Sequence, residues 1–286
     1  MTATLKSSKT ITEDMPNKDF DPFLKSGDVP EVMYKYRNWS NQYDRRTLTD
    51  FELFQSSPSR FNDPYDCKIP VAYFLLEHDK EKQQRYFTRI VNNHKAHLSD
   101  EEKILEVQRL IMEGRFTDHA WLKWADEDFL KQLNNKYGIV SLTPVKDNVL
   151  MWAHYANSQQ GYCIGFRSTE LFNNPDHFGS GGKVQYHEKY PLIDPEEEHM
   201  QQMIKQVYLK SKVWEYEQEY RLSKFEAADR VIDFDRGCVA EILIGCNASR
   251  QTIEEIRDVA SRNFPKVPIF VAFPERYNYK ISFDKL

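Results

Sequence analysis

The segment WEYEQEYR, residues 214–221, carries three carboxylates at alternate positions, on Glu215, Glu217 and Glu219. In a β-strand this spacing puts all three on one face, where like charges repel unless they are solvated, paired or kept for a function. The aromatic residues among them favour the strand. A helix would instead stack Glu215 and Glu219 beside Lys212 as an ordinary charged face. We interpret the segment as a strand that forms one wall of an electronegative cleft.

A second set of candidate residues lies in YKYR, residues 34–37. In a strand, Lys35 and Arg37 share one face and the two tyrosines share the other. A planar guanidinium beside an amine suits a carboxylate or a diphosphate. A lone basic pair on an exposed edge strand is the alternative interpretation. In the turn FNDPYD further along, Asp66 is a candidate polar ligand.

A third set lies in residues 141–166, where a strand, a short helix and a second strand follow one another. Ser141 and Thr143 lie at the end of the first strand, KYGIVSLTP. On the helix NVLMWAHYAN, His154 and Tyr155 share a stripe with apolar residues. A histidine in that place is either a general base near neutral pH or a hydrogen-bonded core residue.

Composition restricts the classes of protein to which the chain can belong. It has 286 residues, 40% of them apolar and 14% aromatic, which is enough to bury a sizeable core. The net charge of −5 argues against broad nucleic-acid binding, although Lys35 and Arg37 could hold a phosphorylated small molecule. The four cysteines lie far apart without metal-ligand spacing, so we expect reduced thiols and no metal. We find neither a signal peptide nor a membrane span, and we expect a cytoplasmic protein.

The order of the patterned segments predicts an α+β fold. Residues 1–30 are polar, contain three prolines and show no sustained period, so we expect a flexible N-terminal arm. A single α+β domain is predicted for residues 31–286. Charged segments with helical periodicity predict a helical insert at about residues 73–135. The segment LTDFELF, with Thr47 as its cap, predicts a short helix.

Taken together, these motifs resemble a bacterial family of uncharacterised function. The shared marks are a YKYR-like strand, FNDPxD, a serine-containing strand followed by LMWAHYA, and WxYExExR, all in this order along the chain. The resemblance covers roughly residues 31–280, and it identifies a domain of unknown function without naming a reaction.

A more distant resemblance points to a reaction. A basic strand, then Ser-x-Thr at a strand end, then Glu-x-Glu is similar to the arginine, serine and glutamate arrangement of mono-ADP-ribosyltransferases. The matching positions are Arg37, Ser141 with Thr143, and Glu217 with Glu219. The resemblance implies an ADP-ribosyltransferase-like mixed or antiparallel β core with a helical insertion. It also implies NAD as a substrate and an unknown macromolecular acceptor.

The implied roles follow the chemistry of NAD cleavage, which develops an oxocarbenium-like cation on the ribose. The resemblance gives Glu219 the stabilisation of that cation and Glu217 the orientation or deprotonation of the acceptor. Arg37 would hold the diphosphate, and Ser141 would position the ribose and Glu219. A tyrosine would stack on nicotinamide. The candidates for nucleotide contact besides Arg37 and Ser141 are Thr143, His154, Tyr155 and Tyr162.

Three functional hypotheses therefore stand at the level of sequence. The first is an NAD-dependent ADP-ribosyltransferase-like protein, such as a toxin or a phage-defence effector. The second is a non-enzymatic nucleotide-binding or interaction module of bacterial defence, which would use the same cleft. The third is a metal-dependent hydrolase in which Asp66, His154, Glu217 and Glu219 bind Mg²⁺ or Mn²⁺. Only the first two agree with the expected absence of metal.

Overall fold

The structure is a computed structural model that describes residues 29–286, so most of the expected N-terminal arm lies outside the described residues. The described part contains twelve strands and eight α-helices. The strands are β1 (Val32–Arg37), β2 (Glu52–Gln55), β3 (Tyr137–Leu142), β4 (Tyr162–Arg167), β5 (Ser180–Lys183), β6 (Gln185–His187), β7 (Leu209–Ser211), β8 (Tyr220–Phe225), β9 (Arg230–Asp233), β10 (Val239–Ile244), β11 (Ile269–Pro274) and β12 (Ile281–Lys285). The helices are α1 (Gln42–Thr49), α2 (Lys80–His94), α3 (Asp100–Met112), α4 (His119–Lys136), α5 (Val149–Tyr155), α6 (Ser168–Phe172), α7 (His199–Tyr208) and α8 (Arg250–Asn263).

The larger sheet has five strands in the order β1, β4, β10, β11, β12. Its pairs are antiparallel except for β10 with β11, which are parallel. The mixed sheet agrees with the predicted combination of helices and mixed or antiparallel strands. Strand β4 lies inside this sheet and is buried along most of its length, which matches its almost continuous apolar sequence.

A smaller antiparallel sheet has the order β3, β8, β5, and the remaining strands form the pairs β2 with β9 and β6 with β7. The two main sheets meet where Thr143, just after β3, bridges Tyr34 of β1. The two backbone hydrogen bonds of this bridge measure 2.7 and 3.1 Å. Because the bridge is confined to this residue pair, β1 and β3 diverge beyond it and leave a split between the sheets.

The segment in which a helical insert is predicted holds α2, α3 and α4. These helices enclose their own apolar cluster, which includes Phe87, Val107 and Phe116. Helix α3 begins with a complete capping box between Ser99 and Glu102, and such boxes satisfy backbone donors at a helix start. The cluster is separate from the one between the larger sheet and α8.

Two local predictions are wrong. The helix after β1 begins at Gln42, with Asn41 as its cap, and ends at Thr49, so Thr47 lies inside it and most of LTDFELF forms a turn and β2. The segment 214–219 is not a strand, because Lys212–Glu217 forms a 3₁₀ turn and Gln218 has φ 45°. This turn breaks the expected alternation.

Within residues 29–286, no helix combines the length and the apolar character that crossing a membrane requires.

Candidate functional site

A cavity of about 600 Å³ opens at the split between the two sheets. Strand β1 and helix α1 form one side, and β3, β8 and the 3₁₀ turn Lys212–Glu217 form the other. Helix α5 contributes a third wall. Five basic and four acidic side chains line the cavity, so the lining carries both charges and not only the predicted negative charge. The charged residues are Lys35, Arg37, Arg60, Lys210, Arg221, Asp44, Asp66, Glu217 and Glu219.

Arg37 forms the basic wall, and its guanidinium has few partners. Its side chain is 14% exposed, and Nη1 lies 3.4 Å from Asp44 Oδ1 on α1. Its Nε is buried and makes no hydrogen bond. A buried guanidinium donor without an acceptor is costly. Because Arg37 also lines the cavity, its guanidinium can donate to an anion there.

Lys35 lies on the same face of β1, as the strand pattern predicts. Its Nζ donates a 2.7 Å hydrogen bond to the backbone oxygen of Ser141, across the split. Burial, together with the positive charge of Arg37, lowers the pKa of Lys35 to about 7. The carboxylates farther away, on Glu219 and Asp44, offset only part of this effect. The basic wall therefore holds one permanent cation and one amine that titrates near neutral pH.

Glu217 and Glu219 meet at Lys210 rather than on one strand face. Lys210 Nζ donates to Glu217 Oε2 at 2.6 Å and to Glu219 Oε2 at 3.0 Å. The two glutamates are only 3% and 4% exposed, whereas Glu215 is exposed and takes no part. The ammonium of Lys210 thus offsets the like-charge repulsion that makes this sequence unusual.

Arg221 completes this cluster from β8. It is fully buried, and it donates to Glu219 Oε1 at 2.8 Å and to Asp66 Oδ2 at 2.6 Å. A further bond, to the carbonyl oxygen of Val207, fixes the guanidinium. The FNDPYD turn delivers Asp66, which also lies 3.4 Å from Lys210. Arg221, whose orientation the sequence left open, therefore pairs with carboxylates.

The environments of the two glutamates push their pKa values apart. Burial alone would raise the pKa of Glu219, but the charges of Arg221 and Lys210 outweigh it and hold this pKa well below its usual range. The nearby Ser141 hydroxyl acts in the same direction. Burial raises the pKa of Glu217, and Lys210 offsets only part of that effect. When two carboxyl groups have different pKa values, one can act as a fixed anion and the other as a proton carrier.

The acceptor positions of the two carboxylates differ as well. Glu219 accepts bonds from Arg221 Nε, Arg221 Nη2 and Lys210, which fill three of the roughly four lone-pair sites of a carboxylate. Glu217 accepts from Lys210 and from the Tyr155 hydroxyl at 2.5 Å. Glu217 therefore keeps free acceptor positions in the cavity.

The structure brings most of the predicted nucleotide contacts to the cavity. Ser141, Thr143, His154 and Tyr155 all line it. Thr143 is buried, and its hydroxyl oxygen accepts from the backbone N–H of Val145, so its main contribution is to the bridge between the sheets. His154 is exposed, with Nδ1 2.9 Å from the hydroxyl of Tyr216. Tyr155 presents its phenol to Glu217.

Tyr162 does not line the cavity, and its assignment as a stacking residue is corrected. The side chain is fully buried in the apolar core beside Trp39. Its hydroxyl donates to the backbone oxygen of Asp44 at 2.6 Å. Because β4 is covered on both faces, the alternation that places side chains on a strand gives no access to the cavity here.

Lys210 is the main site residue that sequence reasoning missed. It lies in the segment VYLKSKVW, on β7, two residues after the end of α7. A buried lysine is rarely without a charged partner. Glu217 and Glu219, which follow within nine positions, are partners of this kind and are the signal in the sequence.

The four residues of the metal-site hypothesis do not form one cluster in the structure. Asp66, Glu217 and Glu219 do converge, but they converge on the ammonium of Lys210, whose Nζ lies 2.6 to 3.4 Å from an oxygen of each. His154 instead bonds to Tyr216. Within residues 29–286, no group of three or more His, Cys, Asp or Glu side chains has a geometry suited to a metal ion.

Comparison with known proteins identifies a family for part of the chain. Residues 151–222 match DUF2971, a protein family of unknown function. The DUF2971 segment contains Lys210, Glu217, Glu219 and Arg221, and it confirms the resemblance to a family of uncharacterised function. The basic wall on β1 lies outside the matched segment. No curated protein and no solved structure matches the chain.

Proposed function

We propose that the cavity binds NAD and cleaves its bond between nicotinamide and ribose, transferring ADP-ribose to an acceptor. One observation carries the proposal. The under-bonded guanidinium of Arg37 lines the same cavity as Ser141 and Glu219, a carboxylate that Arg221 and Lys210 hold in place. These residue types at the same cavity suit the two ends of a dinucleotide, an anionic diphosphate and a ribose.

Size and charge support binding of a nucleotide. The cavity volume of about 600 Å³ lies within the range of small-molecule sites. The diphosphate would accept from Arg37, whose bidentate donors suit phosphate oxygens. Arg60, also on the lining, pairs with Asp229. The cavity thus offers the guanidinium of Arg37 from β1 and the carboxylates of Glu217 and Glu219 from across the split.

The reaction needs negative charge near the ribose when its bond to nicotinamide breaks. Nicotinamide leaves as a neutral base with the electron pair of that bond, and C1′ of the ribose becomes cationic. An acceptor hydroxyl or water then forms the new bond to C1′ and gives up its proton. A preorganised carboxylate lowers the energy of such a transition state.

The geometry favours Glu217, rather than Glu219, as the group that meets the substrate. Glu217 has open acceptor positions and a raised pKa, so it can accept a ribose hydroxyl and then take the proton from the acceptor. Glu219, with three of its acceptor positions filled, would remain ionised and hold Lys210 and Arg221 in place. The family resemblance gives the contact with the ribose to Glu219, whereas this proposal gives it to Glu217.

The test is release of nicotinamide from NAD by the purified protein, with bacterial lysate as the source of acceptor. Arg37→Gln should raise KM because it removes the diphosphate partner, with a smaller effect on kcat. Arg46→Gln is the matched control, since Arg46 is exposed on α1 and pairs with Glu52. No release by the folded wild-type protein, in the presence of lysate, would rule the proposal out.

A second candidate is a nucleotide-binding module without turnover. The ion pairs of Glu219 favour it, because Arg221 and Lys210 already offset the negative charge that would stabilise a cationic ribose. In that case NAD or a nucleotide fragment should raise the melting temperature without any release of nicotinamide. Loss of that stabilisation in Arg37→Gln, but not in Arg46→Gln, would locate the ligand in this cavity.

A further inference from the structure

The amine of Lys35 lines the cavity, and none of the described carboxylates pairs with it. Its Nζ makes one hydrogen bond, to the backbone oxygen of Ser141, and no ion pair with any residue among 29–286. Lys210, by comparison, lies against three carboxylates. An amine that donates one N–H to a carbonyl, and has no anion beside it, keeps its nitrogen lone pair for another partner once it is neutral.

The position of Lys35 makes this lone pair accessible. The side chain crosses the split between the sheets and lines the cavity, next to Arg37 on the same face of β1. The charged groups around the amine are Arg37 on its own strand, Asp44 on α1, and Glu217 and Glu219 from the opposite side. Burial and Arg37 lower the pKa of Lys35 to about 7, so much of the amine is neutral at physiological pH.

We propose that Lys35 is a covalent capture site for phosphorylated aldehydes, with Arg37 binding the phosphate. A neutral amine at a cavity wall is a nucleophile toward carbonyl carbons. The under-bonded guanidinium of Arg37 supplies an anion site beside it. The proposal goes beyond NAD cleavage and does not depend on it, because capture needs only the amine and the anion site.

The step is imine formation. The Nζ lone pair attacks the aldehyde carbon, and the carbonyl oxygen takes up a proton to give a carbinolamine. Loss of water then forms the C=N bond, and both hydrogens of the amine leave in that water molecule. The imine is reversible, and a hydride reagent reduces it to a stable secondary amine.

The experiment uses the full chain with pyridoxal 5′-phosphate, reduction by cyanoborohydride and peptide mapping by mass spectrometry. At pH 7.5 we expect Lys35 to be labelled about tenfold or more above the exposed Lys183, because burial and Arg37 lower the pKa of Lys35 and leave much of its amine neutral. The pH profile of labelling at Lys35 should have its midpoint near 7, where its amine titrates. Pyridoxal without phosphate should label Lys35 less, as should pyridoxal 5′-phosphate with the Arg37→Gln protein.

One further variant keeps the test independent of folding. Lys35→Arg keeps the charge without the nucleophile and should lose the adduct, and circular dichroism will show whether it is folded. Adducts spread over surface lysines with none in excess at Lys35 would overturn the proposal. Equal labelling by pyridoxal and by its phosphate would overturn the assignment to phosphorylated aldehydes. Because no NAD is present, neither outcome depends on nicotinamide release.

Discussion

The Nζ atom of Lys210 lies 2.6 Å from Glu217 Oε2, and each of the two side chains is only 4% exposed. The same ammonium reaches Glu219, so one lysine compensates two buried carboxylates. Lys210→Met should lower the free energy of unfolding by about 3–5 kcal/mol, because removing one partner leaves buried charge unpaired. Urea denaturation at pH 7 measures the change.

The matched control for that variant is Lys212→Met. Lys212 lies two residues away, is exposed and pairs with Glu188 on the surface. Surface pairs contribute little, so the expected change is within about 1 kcal/mol. Equal effects of the two substitutions would show that the buried cluster does not depend on Lys210.

Glu217→Gln should reduce nicotinamide release by about 100-fold or more at saturating NAD, because the amide can no longer take a proton. Glu215→Gln is the control from the same segment, since Glu215 is exposed and lies outside the cavity. Steady-state kinetics of both variants provide the measurement. A kcat that falls in Glu219→Gln, but not in Glu217→Gln, would return the catalytic role to Glu219.

The sequence predicts those parts of the site that depend on local periodicity. The alternation in YKYR places Lys35 and Arg37 together, and both line the cavity. The family resemblance pairs Ser141 with Glu219, and both line the same cavity. For Lys35, Arg37 and Ser141, a short motif determines the direction in which a strand residue points.

The rest depends on contacts that no local pattern encodes. Arg221 pairs with Asp66, which lies 155 positions away along the chain. The turn at Gln218 separates Glu217 from β8. The aromatic residues of this segment alone favour an extended chain. The buried ion pairs of Glu217 and Glu219 stabilise the turn instead. The prediction that Tyr162 contacts the nucleotide is wrong, because β4 is covered on both faces and neither face opens to the cavity. Tertiary pairing, rather than propensity, decides these residues.

Lys35 gives the folded protein a pH dependence with a definite sign. Its folded pKa of about 7 lies below the ordinary value of 10.5, so between these values the unfolded chain binds a proton that the folded chain lacks. The free energy of unfolding therefore rises with pH across this window. The contribution of Lys35 is complete above pH 10.5 and is lost as the pH falls toward 7.

Lys35→Met removes this titration. The free energy of unfolding of the wild-type protein, measured relative to that of Lys35→Met, should increase from pH 7 to pH 9. Urea unfolding of both proteins at several pH values measures the difference. A difference that is flat or decreases over this range would mean that the amine of Lys35 titrates as in water.

Gly161→Ala tests how the backbone positions the basic wall. A Cβ atom at Gly161 would lie 2.1 Å from the backbone oxygen of Arg37, far inside contact distance. Arg37 is the last residue of β1 and pairs with Tyr162, so its backbone must move to admit the methyl group. We expect weaker NAD binding together with a loss of stability of about 1–3 kcal/mol.

Gly237→Ala is the control, because its Cβ would meet only the side chain of the exposed Asp235, at 3.1 Å. If Gly161→Ala binds NAD as tightly as Gly237→Ala does, the end of β1 does not position the ligand.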